Sequence, residues 1–238
     1  MAQIAKIPYI LITTAGLHVA FTAPAPLSPK FKQSESATSN KATLSWIIGK
    51  LGVLKVLLWL AAIIEIAAIA SQQTPESSFA RIAVSKGLGR GADAAYRLTP
   101  FSTIGMALVG GGALLRIICY RALTAFHTFE ISIVDGHKLI TTGPYSVVRH
   151  PSYTGLIALY FGMNLWFLSP RSLPDGMGAL DTLVGKIVLG LFITAFWKAF
   201  LGILERLPEE DALLRGTFGK EWEEWARKVP YSLIPGIY

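Results

Sequence analysis

The stretch "TLVGKIVLGLFITAFWKAFLGIL", residues 182–204, decides the fold class of this chain. A membrane-spanning helix needs about 20 consecutive, mostly apolar residues, because backbone groups in lipid must form their hydrogen bonds within their own segment. The stretch reaches that length, and its only charged side chains are those of Lys186 and Lys198. It therefore predicts a helix that crosses a membrane.

Four further apolar runs predict helices of the same kind, so we expect an all-α, polytopic integral membrane protein with about five transmembrane helices. The composition agrees, since 52% of the 238 residues are hydrophobic, only 16% are charged and the mean hydropathy is +0.48. A cleaved signal peptide is the rival interpretation of the first run. We favour a retained helix, because Lys6 is the only positive charge at its start. The four runs are residues 7–23, 44–70, 101–123 and 153–168.

The last two runs are joined by a short connection, which predicts an antiparallel helical hairpin. The segment after the hairpin is too charged to span a membrane, but its apolar residues recur every three or four positions, as in an amphipathic helix. We expect one membrane domain, with N-terminal transmembrane helices in residues 1–124 and a second region in residues 125–238. The apolar positions of the tail are Leu214, Phe218, Trp222, Trp225 and Val229.

Basic residues outnumber acidic ones by 22 to 15, which gives a formal charge of +7 and a pI of about 9.5. In a membrane protein such residues gather at cytoplasmic helix ends, and no basic and aromatic interleaving points to nucleic acid. With five crossings, 11 of the 22 basic residues lie on one side, 6 lie on the other and 5 lie inside the apolar runs, so the first side is predicted to face the cytosol. The 11 are Lys30, Lys32, Lys41, Arg121, Lys138, Arg149, Arg206, Arg215, Lys220, Arg227 and Lys228.

The most distinctive polar stretch is "GPYSVVRHPSYTG", residues 143–155, which lies directly before the hairpin. Directly after the hairpin come Arg206 and the acidic group 209–211. Folding the hairpin brings its two flanks together, and Arg206 and Glu210 share a helix face if the helix continues through Pro208. The alternative without a functional role is an ordinary ion pair at a solvated helix end.

Other chemistries find no support in the sequence. Cys and His residues do not cluster at metal-ligand spacing, so no metal is expected, and neither a nucleophile elbow nor a Walker loop occurs. The single cysteine, Cys119, lies in an apolar run and cannot form an internal disulfide. Hydrolysis by the familiar routes is therefore unsupported.

Two motifs carry a resemblance to a known family. "HKLITTGPYSVVRHPSYTG", residues 137–155, is followed after the hairpin by "ERLPEEDALLRGTFGKEWEEWARKVPYSLIPGI", residues 205–237. In this order and spacing the chain, over about residues 130–238, resembles the isoprenylcysteine carboxyl methyltransferases, which methylate the C-terminal prenylated cysteine of CaaX-processed proteins. The resemblance implies S-adenosylmethionine as cofactor, prenylated proteins as partners, and an endoplasmic reticulum membrane with the active site facing the cytosol.

The resemblance also implies that residues 125–238 are the cofactor-binding and catalytic region, and it implies roles for single residues. Arg206 would contact the substrate, and Arg206 and Glu210 would be the catalytic residues. The family pattern has three glutamates where this chain has Glu209, Glu210 and Asp211, which leaves open which carboxylate contacts the cofactor. The residues implied to line the cofactor pocket are Glu130, His137, Lys138, Leu139, Ile140, Tyr145, His150, Pro151, Ser152, Tyr153 and Glu210.

Three other functions stay open at this point. A phospholipid N-methyltransferase would use the same cofactor on an amine and would favour an acidic contact at the acceptor. A membrane sterol reductase has a similar terminal motif but would use a nicotinamide cofactor. In a non-catalytic scaffold or transporter, Glu65 and Lys198 would line a path through the membrane.

Overall fold

The computed structural model describes residues 4–22, 41–75, 78–79, 82, 97–123 and 136–237. Within these residues the chain is helical and contains no strand, as predicted. Short helical turns lie at Gly143–Ser146, Leu173–Gly176 and Ala179–Asp181. The longer helices are α1 (Lys6–Ala20), α2 (Lys41–Ser71), α3 (Pro100–Leu123), α4 (Pro151–Phe167), α5 (Leu183–Phe218) and α6 (Lys220–Lys228).

Three of the helices are long and apolar enough to cross a membrane: the part of α2 over Leu51–Ser71, α3 and α5. The predicted helices in the first and fourth runs are present, but α1 has 15 residues and α4 has 17. Both are shorter than the roughly 20 residues that a bilayer requires. The multi-pass character is therefore supported, whereas the count of five crossings is not confirmed.

The chain divides into two compact units that alternate along the sequence. The first unit consists of Met1–His18, Val53–Gly111 and Ala158–Lys198. The second consists of Val19–Gly52, Gly112–Ile157 and Ala199–Tyr238.

In the first unit, aromatic side chains pack α4 against α5. Phe196 of α5 makes edge-on ring contacts with Tyr160 and Phe161 of α4, at centroid distances of 5.6 Å in both cases. Further along α4, Phe167 meets Phe192, which lies earlier in α5. Positions that rise along one helix thus match positions that fall along the other, as the expected antiparallel hairpin requires.

The first unit also contains a buried ion pair. The Lys6 ammonium at the start of α1 lies 2.6 Å from a Glu65 carboxylate oxygen of α2, and the two side chains are 0% and 2% exposed. The ammonium also donates to the carbonyl of Arg171 at 3.4 Å. A carboxylate inside an apolar helix is costly without a partner, and Lys6 is the partner of Glu65.

In the second unit, α3 and α4 approach at glycines. A Cβ added at Gly155 would lie 2.8 Å from the carbonyl of Gly112, so no larger residue fits between the two backbones without a shift. Beside this contact the buried Arg116 donates to the carbonyls of Ala20 and Ser152, at 3.2 and 3.1 Å, and to the hydroxyl of Tyr120. A charge inside an apolar helix is thus satisfied by hydrogen bonds to the ends of α1 and α4.

The tail differs from the single amphipathic helix predicted for it. Helix α5 continues through Pro208 to Phe218, so the apolar run 182–204 and the acidic group 209–211 belong to one helix of 36 residues. Gly219 then adopts a positive φ of 53°, which ends α5 and starts α6 in a new direction. The one-helix prediction was wrong because it followed the apolar spacing and passed over the glycine, a common helix terminator. Trp222, Trp225 and Val229 nevertheless share one buried cluster.

Candidate active site

The Gly-Pro-Tyr segment forms a fixed turn at the entrance to the motif. Gly143 has a φ of 63°, which favours glycine, and Pro144 starts a single turn of 3₁₀ helix. The turn buries Tyr145 against Cys119, Trp225 and Val229. The Trp225 indole donates to the Tyr145 carbonyl at 3.0 Å and ties α6 to the turn. The turn thereby fixes the backbone that leads into residues 149–153.

His150 is the centre of a charged cluster in the second unit. It is 3% exposed and immediately precedes Pro151, the first residue of α4. Its Nε2 lies 2.9 Å from Oδ1 of Asp211, and its Nδ1 lies 3.8 Å from Oε1 of Glu210. Burial lowers the pKa of His150, but the two carboxylates outweigh it and raise the pKa to about 9. The imidazole is therefore a cation at neutral pH, with its Nε2–H donating to Asp211.

Asp211 joins two basic residues of the motif. While Oδ1 accepts from His150, Oδ2 accepts from Nε and Nη2 of Arg149 at 3.3 and 3.1 Å. The Asp211 side chain is 18% exposed and that of Glu210 is 31% exposed. Of the two neighbouring carboxylates, Asp211 is the one engaged by Arg149, and Glu210 is the more open.

Tyr153 and Arg206 complete the cluster. The Tyr153 ring lies 5.8 Å from the His150 ring, and its hydroxyl lies beside Glu210 and Arg206. Arg206 and Glu210 share a face of α5 because the helix is unbroken at Pro208. The structure thus brings together His150, Tyr153, Arg206 and Glu210, which the sequence had placed on two separate motifs.

The other residues predicted for the cofactor pocket take different positions. His137 packs edge-on against Phe218 at 5.7 Å, and burial, opposed by the charge of Glu210, lowers the pKa of His137. Leu139 and Ile140 pack against the Tyr145 cluster, and Lys138 is exposed. Burial, followed by the effects of Cys119 and Glu210, raises the pKa of the Tyr145 hydroxyl far above its ordinary range.

Two further predicted residues lie at the start of α4. Pro151 is fully buried, and the Ser152 hydroxyl accepts from Nη1 of Arg116 at 3.2 Å. Glu130 lies outside the residues that the structure describes.

An open cavity of about 520 Å³ lies next to the cluster. One face of α5 lines it, from Pro208 through Asp211 to Gly216, and Trp222 of α6 closes one side. At its rim the guanidinium of Arg215 pairs with Glu223 at 2.8 Å. Asp211 therefore stands between the buried histidine and an open space.

Sequence reasoning missed Arg149 and the tail residue Ser232 as members of the site. Arg149 lies in the motif itself, between two valines and His150, and a charged residue at that position could have been predicted to belong to the site. Ser232 accepts from Nη2 of Arg149 at 2.6 Å across 83 residues of chain, and nothing in the local sequence predicts that contact.

Comparisons with known proteins agree with the motif. The family model described as phospholipid methyltransferase matches residues 101–174. A probable protein-S-isoprenylcysteine O-methyltransferase of Oryza sativa subsp. indica is 33% identical over 140 residues, which cover 57% of this chain and 62% of the relative. The protein-S-isoprenylcysteine O-methyltransferase of Xenopus laevis is 32% identical over 147 residues, 59% of this chain and 44% of that protein.

A second group of relatives, the sterol reductases, matches a smaller share of this chain and of its own length. A Delta(14)-sterol reductase of Mus musculus is 30% identical over 108 residues, 45% of this chain and 22% of the reductase. No solved structure matches the chain. The chain spans less than two thirds of the length of these relatives. The resemblance predicted from the two motifs is confirmed: the chain is similar to the protein-S-isoprenylcysteine O-methyltransferases and carries part of the phospholipid methyltransferase family model.

Proposed function

We propose that this chain transfers a methyl group from S-adenosylmethionine to the C-terminal carboxylate of a prenylated cysteine. The observation that carries the proposal is one cluster in which a buried, charged histidine, an open carboxylate and an arginine meet. His150, Glu210 and Arg206 supply these groups. The similarity to enzymes of that name supports the same reaction.

The residues of the cluster fit such a methyl donor. When bound, S-adenosylmethionine supplies a methyl group on a positively charged sulfur. The Glu210 carboxylate, 31% exposed beside Tyr153, can face a cationic group of the donor, and tyrosine and histidine side chains can bind adenine or ribose. The residues that we propose to hold the donor are Glu130, His137, Lys138, Leu139, Ile140, Tyr145, His150, Pro151, Ser152, Tyr153 and Glu210.

The acceptor carboxylate has to be bound and aligned, but it does not need a general base. A C-terminal carboxylate has a pKa of about 3.5 and is ionised at neutral pH, so no proton has to be removed before it attacks. Arg206 would hold it through the planar fork of its guanidinium. Alignment of the carboxylate in a site that excludes water can then lower the barrier by several kcal/mol.

The membrane supplies the other half of the recognition. A prenyl tail partitions into lipid, so the acceptor would enter from the bilayer while the soluble donor enters from the aqueous side. The excess of basic residues on the connections that carry the motif and the tail supports a cytosolic orientation. We propose an endoplasmic reticulum membrane on the resemblance to the family.

A phospholipid N-methyltransferase is the second candidate, because the matching family model bears that description. The charges of the cluster favour the carboxylate acceptor. With His150 protonated, Arg149, His150 and Arg206 outnumber Glu210 and Asp211, which leaves one net positive charge. The guanidinium of Arg206, which we propose to contact the acceptor, attracts an anionic carboxylate and repels the ammonium of phosphatidylethanolamine.

Membranes containing the protein test the proposal directly. Methyl-labelled S-adenosylmethionine is supplied with N-acetyl-S-farnesylcysteine or with phosphatidylethanolamine, and the label in each product is measured. We expect label in the prenylcysteine only. Labelled phospholipid without labelled prenylcysteine would establish the second candidate, and label in neither would contradict both.

A further inference from the structure

Residues 229–233, which follow α6, form hydrogen bonds with residues 149–154 of the motif. The backbone amides of Arg149 and His150 donate to the carbonyls of Tyr231 and Ser232 at 2.9 and 2.8 Å. The Thr154 hydroxyl donates to the carbonyl of Leu233 at 2.7 Å. We call residues 229–233 the strap. It lies beside the residues that carry the charged cluster.

Arg149 is the main side-chain link between the strap and the cluster. Its Nη1 donates to the carbonyls of Val229 and Pro230 at 3.2 and 2.6 Å, and its Nη2 donates to the hydroxyl of Ser232 at 2.6 Å. Its Nε and Nη2 both donate to Oδ2 of Asp211. A guanidinium has five N–H donors, and these five bonds account for all of them. The side chain is 14% exposed, so it is held rather than solvated.

The consequence falls on Asp211. With Oδ2 fixed by Arg149, Oδ1 points to Nε2 of His150 at 2.9 Å. The carboxylate therefore has one orientation, which is set by Arg149 and by the strap that holds Arg149. Glu210, whose closest approach to His150 is 3.8 Å, makes no comparably short contact with the imidazole.

We propose that Arg149 is a positioning residue that uses the strap to orient Asp211 on His150 and thereby leaves Glu210 available to the methyl donor. The geometric part of this inference stands by itself. Its effect on the donor rests on the proposed function. It assigns the carboxylate that the sequence left open: Asp211 holds the histidine, and Glu210 faces the donor.

A lysine at position 149 separates this role from simple charge. Arg149→Lys keeps the cation beside Asp211, so the repulsion between that cation and His150 is retained, but three donors on a flexible stem cannot reproduce the fork. The matched control is Arg227→Lys, since Arg227 is exposed on α6 and its Nε reaches only the carbonyl of Glu223 at 3.4 Å. Ser232→Ala removes one of the five hydrogen bonds of Arg149 and serves if the lysine variant fails to fold.

The deciding measurement is the titration of His150 by NMR of the ¹³C-histidine-labelled, full-length protein in nanodiscs. The groups that face His150 are Asp211, Glu210 and Tyr153, with Arg149 behind Asp211. We expect the pKa of His150 to fall from about 9 toward its ordinary 6.5 in Arg149→Lys, to fall by less in Ser232→Ala, and to be unchanged in Arg227→Lys. An unchanged titration in folded Arg149→Lys would overturn the proposal.

A second measurement tests whether Arg149 affects binding of the methyl donor. The dissociation constant of S-adenosylmethionine should rise about tenfold in Arg149→Lys, the effect expected from losing a hydrogen bond to a charged group. The melting temperatures of Arg149→Lys and Arg227→Lys are compared to exclude general unfolding. If the wild-type protein binds no donor, the proposed function fails, and the His150 titration still decides the role of Arg149.

Discussion

Each of the two compact units contains buried charges, but they are arranged differently. In the first unit, Lys6 and Glu65 form a closed pair, 0% and 2% exposed. In the second, His150 is 3% exposed, while Asp211 and Glu210 are 18% and 31% exposed and face several partners. In the closed pair each charge is neutralised by the other, and the pair offers little surface to a ligand. The cluster keeps carboxylate surface open at the cost of burying a charged histidine.

The difference distinguishes a structural pair from a candidate site. A structural ion pair needs one partner for each charge, and replacing both partners by apolar residues is often neutral. The cluster instead combines five ionic groups with a tyrosine, and it lies beside an open cavity. Such an excess of oriented polar groups is expected where a ligand is to be bound.

The largest expected effect concerns the closed pair. Lys6→Met leaves the Glu65 carboxylate buried without its cation, and we expect it to lower the free energy of unfolding by about 3–5 kcal/mol. The double variant Lys6→Met, Glu65→Leu should recover the stability of the wild type, because no charge is then left buried. Thermal unfolding in detergent measures both. A double variant as unstable as the single one would contradict the structural role of the pair.

Arg206→Lys tests the open cluster. It keeps the charge but loses the bidentate fork, so kcat/KM for the prenylcysteine should fall by about tenfold to hundredfold while donor affinity is unchanged. Arg215→Lys, at the exposed rim of the cavity, is the control and should retain full activity. If Arg206→Lys weakened donor binding as much as it slowed transfer, Arg206 would belong to the donor pocket.

The protonation of His150 predicts a pH dependence. Its pKa in the folded protein, about 9, exceeds the ordinary value of 6.5. The stabilisation that this charge provides is therefore complete below pH 6.5 and is lost as the pH rises through about 9. Melting temperatures of the wild type and of His150→Gln, compared from pH 6 to pH 9.5, should converge at the alkaline end. A constant difference over that range would mean that folding does not raise the pKa of His150.

The smallest expected effect concerns the exposed ion pair at the rim of the cavity. The side chains of Arg215 and Glu223 are 62% and 47% exposed, so Arg215→Gln should change the free energy of unfolding by roughly 0.5 kcal/mol or less. Chemical denaturation and donor binding are measured together. A clear loss of donor affinity would extend the site along the cavity face of α5.

The sequence predicted the helical class and four residues of the charged cluster, but it missed Arg149. Long apolar runs dictate helices in a membrane, and a short connection brings the flanks of a hairpin together. His150, Tyr153, Arg206 and Glu210 were found because they stand in the two motifs on those flanks. The hairpin topology predicted that the two motifs meet, whereas the choice of single residues rested on the resemblance to a known family.

The remaining features depend on contacts that no local pattern contains. The bond from Arg149 to Ser232 spans 83 residues, and the bonds from Arg149 to Asp211 span 62. The end of α5 at Gly219 could have been predicted from the glycine, but the apolar spacing on either side suggested one helix. Helix α1 ends at Ala20, before the apolar run 7–23 ends, so its length was overestimated from composition, whereas α4, with 17 residues, is slightly longer than the apolar run 153–168.

One measurement compares the two regions directly: the initial rate of base-labile methyl transfer to N-acetyl-S-farnesylcysteine, per mole of folded protein. A methyl ester releases methanol in base, whereas a methylated amine does not, so the label itself identifies a carboxylate acceptor. We expect the double variant Lys6→Met, Glu65→Leu to keep the wild-type rate, Glu209→Gln to keep it as well, and Glu210→Gln to lose most of it at limiting donor. Equal rates in Glu210→Gln and the wild type, or the absence of base-labile label in the wild type, would contradict this expectation.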